Sequence, residues 1–200
     1  MYSKLPNLIL GFHGFDKTVC DKVLNRNYLL TASENDYDWL GNGIYFWENN
    51  PSRALEYALE LKKRGKIKNE AVIGAVIDLG YCLNLLESRY LQVVKYGYEI
   101  LCKKLEISGG SIPENKFGGS KIDLLLRYLD CAVIEMTHQY NKENKEKDYD
   151  SVKGVFIEGN ELYPNSGFKE KNHIQICIRN PNCIKGYFRV LETNNDYTLP

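Results

Sequence analysis

The stretch from residue 41 to residue 57 constrains the fold of this chain more than any other. After a glycine pair, the aromatic run at 44–47 predicts a short strand. Asn50 and Pro51 follow a polar turn, and they are a favoured N-cap and a favoured first helical residue. The sequence therefore predicts a strand, a tight turn and a helix in direct succession.

Two tyrosines on these neighbouring elements are placed to form a slot for a flat ring. Tyr45 lies on the strand, and Tyr57 lies about two turns into the helix. If the ring were cationic, each aromatic face would contribute roughly 0.5–1 kcal/mol at an exposed site and up to about 2 kcal/mol when desolvated. The same spacing is also typical of aromatic residues that pack in a core. The pattern alone leaves both readings open.

Composition narrows the class of protein. The 26 Lys and Arg residues balance 26 Asp and Glu residues, so bulk charge does not favour nucleic-acid binding. Apolar runs such as 71–79 are too short to span a bilayer, and residues 1–6 lack the apolar core of a signal peptide. Six scattered cysteines show no zinc spacing. We expect a cytoplasmic protein with free thiols, no membrane contact and no metal.

Hydrophobic periodicity and turn residues divide the rest of the chain into helices and strands. The first strand is expected to end at His13-Gly14. Predicted helices are 16–23, 51–64, 84–106 and 122–129, and predicted strands are 8–12, 44–47, 71–79, 131–136, 152–157, 173–178 and 184–191. No repeat or linker splits the chain. We expect one α+β domain over 1–200, with sheets in the core and helices outside.

Four segments qualify this outline. We expect a helical insertion at about 84–129 and, because residues 141–150 are mostly Lys, Glu and Asn, a mobile loop there. Residues 158–172 form a long, turn-rich connection. The strand at 173–178 alternates polar and apolar residues, so His173 and Gln175 share one face.

Several of these motifs together resemble the ADP-ribosyltransferase fold, in the branch of the poly(ADP-ribose) polymerase catalytic domains. The His-Gly strand end of that branch matches His13-Gly14, and its Gly-x-Gly-Ile-Tyr-Phe strand matches 41–46. Its helix start matches 52–57 without a gap, and weaker matches lie at 78–85 and 151–154. The ungapped block from 41 to 57 is the specific part. The resemblance implies a split β-sheet core flanked by helices.

The resemblance also implies NAD as co-substrate and assigns roles to single positions. His13 would hydrogen-bond the ribose next to nicotinamide, and the Gly14 backbone would pair with the carboxamide. Tyr45 and Tyr57 would sandwich the nicotinamide ring, in agreement with the slot. The expected catalytic residues are His13, Tyr45, Tyr57 and Gln175, and the expected cofactor-binding residues are His13, Gly14, Gly43, Tyr45, Arg53 and Tyr57.

Three positions depart from the polymerase pattern. Gln175 stands where the polymerases have the Glu associated with chain growth, so we expect transfer of a single ADP-ribose unit. Ala54 and Phe15 each replace a Ser. His173 shares the face of Gln175 and is a candidate to share its role. A carboxylate from a nearby loop is a further candidate, and the ones considered are Glu48, Glu158, Glu161 and Glu170.

The acceptor is expected to meet the connection at 158–172, which carries Tyr163, Phe168, Lys169 and Lys171. Such a surface suits a macromolecule, either nucleic acid or protein, and the same pattern also fits a polar loop whose aromatic residues are tucked in. Small stand-alone transferases of this type often act as toxins or in phage defence, which would imply a neutralising antitoxin as partner.

Three other uses of the same fold stay open. A non-catalytic module that binds NAD or ADP-ribose is favoured by the neutral Gln175. A glycohydrolase would transfer the ribose to water. Transfer of a 2′-phosphate from RNA to NAD needs extra basic residues, and Arg53 is the candidate at hand.

Overall fold

The structure, a computed structural model, describes residues 8–119 and 122–191. Over this part of the chain the fold is α+β, with seven strands in one sheet and four α-helices. In chain order the elements are β1 (Leu8–Asp16), α1 (Lys17–Leu24), β2 (Ile44–Glu48), α2 (Pro51–Lys63), β3 (Glu70–Asp78), β4 (Cys82–Asn84), α3 (Ser88–Ser108), α4 (Tyr128–Glu143), β5 (Ser151–Phe156), β6 (His173–Ile178) and β7 (Ile184–Arg189). The strand order is β4-β5-β6-β2-β1-β3-β7.

The sheet opens between β1 and β2, which are neighbours near its middle. β1 pairs with β3 from Leu8 to Asp16, but it pairs with β2 only at Gly11 and Phe12. Beyond Phe12 the ladder to β2 stops, and the imidazole Nδ1 of His13 lies 2.7 Å from the carbonyl oxygen of Tyr45. A side chain thus bridges the strands where the main chains have separated. The predicted strand end at His13-Gly14 is wrong, because pairing with β3 continues β1 to Asp16.

The main core joins the strands on both sides of this opening. It contains residues of β2, β3 and β6 together with Cys183: Ile44, Phe46, Ala75, Ile77, Ile176, Ile178 and Cys183. Because side chains alternate along a strand, burying Phe46 in this core turns Tyr45 and Trp47 to the opposite face. The core therefore fixes which β2 side chains face the opening.

Helix α2 lies directly against β1. The Asn50 side chain accepts a hydrogen bond of 2.9 Å from the Arg53 backbone N–H, and Pro51 occupies the first turn, as predicted from the sequence. A Cβ atom added at Gly14 would overlap the backbone carbonyl of Ala54, which is itself fully buried. The helix thus approaches the strand at a distance that only glycine permits.

The region from 84 to 150 differs most from the sequence prediction. The predicted helix at 122–129 is irregular until α4 begins at Tyr128, and the predicted strand at 131–136 lies inside α4. Residues Cys131–Met136 form a short continuous apolar run, whose period does not separate a strand from a buried helix. The insertion is a pair of packed helices, α3 and α4, preceded by the short strand β4.

The loop expected at 141–150 is shorter than predicted at both of its ends. Helix α4 continues to Glu143, Tyr149 is buried, and Asp150 accepts a hydrogen bond of 2.8 Å from the Tyr81 backbone N–H. Burial of one aromatic ring anchors a segment whose remaining residues are polar.

None of the helices in the described residues is both long and apolar enough to cross a membrane.

Candidate active site

A cleft of about 490 Å³ lies at the opening of the sheet, bordered by β2, β6 and α2. Residues from distant parts of the sequence meet in its walls. Of the residues predicted from the sequence, the cleft is lined by His13, Gly43, Tyr45, Arg53, Tyr57 and Gln175. Gly14 is not part of the lining, and in this structure it serves the close contact with α2.

His13 is held in one tautomer. Its Nδ1 faces the Tyr45 carbonyl oxygen, which is only an acceptor, so Nδ1 carries the proton. Burial lowers the pKa of His13, so the ring is neutral near pH 7. Nε2 therefore keeps a lone pair, and it can accept a hydrogen bond from a hydroxyl group in the cleft.

Tyr45 is fixed by its hydroxyl group. The hydroxyl donates to the Gly41 carbonyl oxygen at 2.8 Å and accepts from the Leu40 backbone N–H at 3.0 Å. Burial raises the pKa of Tyr45 far above its ordinary value, so the hydroxyl stays protonated. Gly43, in the same loop, approaches β6 so closely that an added Cβ would lie 2.5 Å from Cys177 Sγ.

The loop that holds Tyr45 is clamped in turn by α4 and the residue after β6. Glu135 accepts a hydrogen bond of 2.7 Å from the Asn42 backbone N–H, and Arg179 donates to the Asn42 carbonyl oxygen at 3.1 Å. The two side chains also form an ion pair with each other. The helical insertion thus contributes to the site by holding this loop.

Tyr57 begins a continuous row of rings along one wall of the cleft. Its ring centroid lies 5.1 Å from that of Trp47, which lies 6.3 Å from His173. His173 lies 5.4 Å from Phe156, and Phe156 lies 4.9 Å from Trp39. All five rings line the cleft. Trp39, Trp47 and Phe156 are not among the residues predicted from the sequence. For Trp47, its position two residues after Tyr45 on β2 is a usable signal.

Two ring nitrogens in this row lack a hydrogen-bond partner in the described structure. They are the donor Nε1 of Trp47 and the Nε2 of His173. His173 Nδ1 faces the Lys171 carbonyl oxygen at 2.7 Å, and burial lowers the pKa of His173 to about 4, so Nε2 is an acceptor at neutral pH. Because buried polar groups are nearly always hydrogen-bonded, these two atoms are candidates to bond a ligand in the cleft; His138 Nε2, outside the cleft, is unpaired as well.

Gln175 lies beside this row, on the face predicted for it. Its Oε1 accepts a hydrogen bond of 2.6 Å from Trp39 Nε1, and both His173 and Gln175 line the cleft. The amide orientation follows from this contact, since the indole N–H is only a donor. The amide NH₂ remains available as a neutral donor to a bound molecule.

Arg53 is surrounded by carboxylates. Its side chain is 8% exposed, and its Nη atoms lie 3.2 Å from Glu158, 3.3 Å from Glu56 and 3.9 Å from Glu60. Partners of opposite charge are what a buried cation requires. A phosphate at this position would compete with three carboxylates, which disfavours the use of Arg53 as a phosphate ligand.

Of the four carboxylates considered from the sequence, Glu158 lines the cleft. Glu48 pairs with Lys153, Glu161 lies 3.8 Å from Lys169, and Glu170 accepts a hydrogen bond from the Asn160 backbone. Across the described ranges, no cluster of three or more His, Cys, Asp or Glu side chains is arranged to hold a metal ion.

The chain is similar to an uncharacterized protein of the archaeon Methanocaldococcus jannaschii. The two sequences are 27% identical over 197 residues, covering 87% of this chain and 83% of the archaeal protein. Searches with known protein families and with solved structures gave no match.

Proposed function

We propose that this chain is an NAD-dependent mono-ADP-ribosyltransferase with the split sheet of that fold. It cleaves nicotinamide from NAD and transfers ADP-ribose to a macromolecule. The observation that supports this most is the convergence of His13, Tyr45, Tyr57 and Gln175 on one cleft at the opening of the sheet. These residues come from β1, β2, α2 and β6, so local packing alone does not require them to meet.

The cleft offers suitable groups to the nicotinamide ring, the adjoining ribose and the diphosphate of NAD. The cationic nicotinamide ring fits between Tyr45 and Tyr57, and Nε2 of His13 accepts a hydrogen bond from a ribose hydroxyl. Lys66 lines the cleft and is exposed, so it supplies positive charge for the diphosphate; Arg64, also exposed there, lies 3.6 Å from Glu60 and is shared with that carboxylate. Arg53 instead acts as a structural ion-pair partner of α2 and the connection after β5.

The reaction breaks the bond between C1′ of the ribose and the nicotinamide nitrogen. The bonding electrons leave with nicotinamide, which becomes neutral, and positive charge passes to the ribose. The acceptor's nucleophile then forms the new bond to C1′ and gives up its proton. Gln175 orients hydroxyl groups as a neutral donor, which agrees with transfer of one unit.

The acceptor meets the connection between β5 and β6, in the range 157–172. Tyr163 and Phe168 are well exposed there. Lys169 lies within ion-pair distance of Glu161, and Lys171 lies 3.1 Å from Glu60. Since these lysines are already paired, the surface favours a protein acceptor over a nucleic acid. A toxin or defence role with a neutralising antitoxin is part of the same proposal.

One observation favours a second candidate, a module that binds NAD without turnover. The residue at position 175 is neutral, and its carbonyl oxygen is already bonded to Trp39. Such a protein would hold NAD in the same cleft and leave the glycosidic bond intact.

The decisive experiment measures nicotinamide release from NAD by the purified protein, alone and with RNA, DNA or protein extract. His13→Ala is the inactive variant, and Tyr96→Phe, in a different cavity, is the matched control. Release that requires one acceptor class supports the transferase and identifies that class. Release without acceptor indicates a glycohydrolase, and NAD binding without release indicates the module. A chelator should leave each result unchanged.

A further inference from the structure

We infer that Glu158 supplies the carboxylate that position 175 lacks, and that it stabilises the ribosyl cation formed when nicotinamide leaves. The inference rests on the proposed transferase function. It assigns a catalytic role to a residue that follows β5, outside the strand that carries Gln175.

Glu158 is placed next to the face that carries the third signature position. β5 pairs with β6 so that Phe156 lies opposite His173, and Gly154 lies opposite Gln175. Two residues beyond Phe156, the Glu158 side chain is 13% exposed and lines the cleft. A carboxylate from the neighbouring strand end therefore borders the same space as Gln175.

One oxygen of Glu158 keeps its capacity to accept a hydrogen bond. Oε2 accepts from Arg53 Nη2 at 3.2 Å. Oε1 lies 3.7 Å from Lys171 Nζ, which is beyond hydrogen-bond distance, and that ammonium group donates to Glu60 instead, at 3.1 Å. The two cations compensate the buried charge while Oε1 remains free to accept from a ribose hydroxyl.

The other candidates in the cleft are less suited. Gln175 is uncharged, and His173 is neutral at pH 7. Glu60 is 32% exposed and is the hydrogen-bond acceptor of Lys171. Asp38 accepts from the Asn35 backbone N–H within its own loop. Glu158 alone among these combines low exposure with an uncommitted carboxylate oxygen.

In the proposed step the carboxylate acts through charge and hydrogen bonding. As the bond from C1′ to nicotinamide breaks, positive charge develops on the ribose, and a fixed anion beside it lowers the barrier. No bond forms to Glu158. The acceptor nucleophile attacks C1′, and its proton passes to water.

The test compares Glu158→Gln with Glu56→Gln. Both residues pair with Arg53, but Glu56 is 57% exposed and does not line the cleft. For Glu158→Gln we expect nicotinamide release at saturating NAD to fall by about 100-fold or more, with the Kd for NAD changed less than about threefold. Glu56→Gln should stay within about twofold of the parent in both quantities. Equal rates for the parent and Glu158→Gln would overturn the inference.

Two further variants test the same inference if the Glu158→Gln protein does not fold. Glu158→Asp keeps an anionic partner for Arg53 but withdraws the carboxylate by one methylene group, so release should fall by about tenfold or more in a folded protein. Adding Gln175→Glu to Glu158→Gln should restore at least part of the rate, because it returns a carboxylate to the neighbouring strand. Full activity of Glu158→Asp together with no recovery in the double variant would contradict the inference.

The outcomes separate the two levels of the proposal. A parent protein that binds NAD but releases no nicotinamide with any acceptor overturns the transferase function, and this inference with it. An active parent whose His13→Ala variant is inactive, but whose Glu158→Gln variant is fully active, overturns only the role of Glu158.

Discussion

Two cavities of nearly equal size among the described residues are both lined by aromatic side chains, and they differ in how the rings are arranged. The cleft measures about 490 Å³, and a second cavity of about 470 Å³ lies beside α3 and α4, lined in part by Tyr81, Tyr96, Tyr140 and Tyr149. In the second cavity the rings pair with one another: Tyr81 stacks on Tyr149 at 4.6 Å, and Tyr96 meets Tyr140 edge-on at 5.5 Å.

In the cleft the rings form a row along one wall, and several polar groups of the lining lack partners, as does His138 Nε2 beside Tyr149. Trp47 Nε1 and His173 Nε2 have none among the described residues, and one oxygen of Glu158 keeps hydrogen-bonding capacity. Aromatic content, volume and a single unpaired ring nitrogen therefore do not distinguish the two regions. The cleft differs in that several polar groups without partners line one cavity.

The largest expected effect tests the second cavity as a purely structural cluster. Tyr149 is 7% exposed and contacts Tyr81, Tyr90 and His138. Tyr149→Ala should reduce the free energy of unfolding by about 3–5 kcal/mol, because it leaves a large void. Urea denaturation measures this loss, and the folded fraction should bind NAD as the parent does. A drop in NAD affinity of the folded protein would contradict the separation of the two regions.

The second expected effect concerns pH and separates His173 from the other two histidines, His13 and His138. His173 in the cleft has its pKa lowered to about 4 from 6.5, and burial also lowers the pKa of His138 beside Tyr149. Between pH 6.5 and 4 the unfolded chain binds a proton that folded His173 does not, so stability falls as the pH falls. For His173 this loss amounts to roughly 3 kcal/mol.

His173→Gln removes that contribution and leaves those from His138 and His13, whose pKa values burial also lowers. The stability of the variant should therefore decline less steeply than that of the parent between pH 6.5 and 4, when urea midpoints are measured at each pH. Parallel curves would show that His173 titrates normally in the folded protein.

A smaller effect is expected from the ring slot. Tyr57→Ala should weaken NAD binding by about tenfold, since one aromatic face contributes up to about 2 kcal/mol to a desolvated cation. Tyr57→Phe keeps the face and should bind normally, as should Tyr96→Phe in the second cavity. Titration calorimetry gives the Kd values. If Tyr57→Ala bound NAD as tightly as the parent, Tyr57 would contribute to packing and not to the ring slot.

The smallest effect concerns the clamp on the loop before β2. Glu135→Gln weakens the contact that holds Asn42, and we expect a loss of NAD affinity of about two- to fivefold through Tyr45. Glu143→Gln on the same helix disrupts an exposed pair with Lys104 and serves as control. An equal loss in both variants would indicate a general effect on α4.

Helix-capping residues and hydrophobic periodicity predicted the secondary structure that positions the site. They failed where contacts between distant residues determine whether a segment is a helix or a strand. The Asn50 cap and the strand at 44–47 follow from residues adjacent in sequence. The helix at Cys131–Met136 does not, because packing against α3 selects it. The sequence could not predict that Trp47 Nε1 and His173 Nε2 lack hydrogen-bond partners. Whether a buried group finds a partner depends on all the residues that fold around it.

The contact of Gly14 with the backbone of Ala54 also limits how the cleft can change during evolution. One wall carries His13 and the other carries Tyr57, and main-chain atoms of β1 and α2 set the separation of those walls. Because this contact is between main-chain atoms, substitutions of side chains away from it can accumulate without acting directly on the width of the cleft. A single methyl group at position 14 would shift the whole helix and widen the cleft.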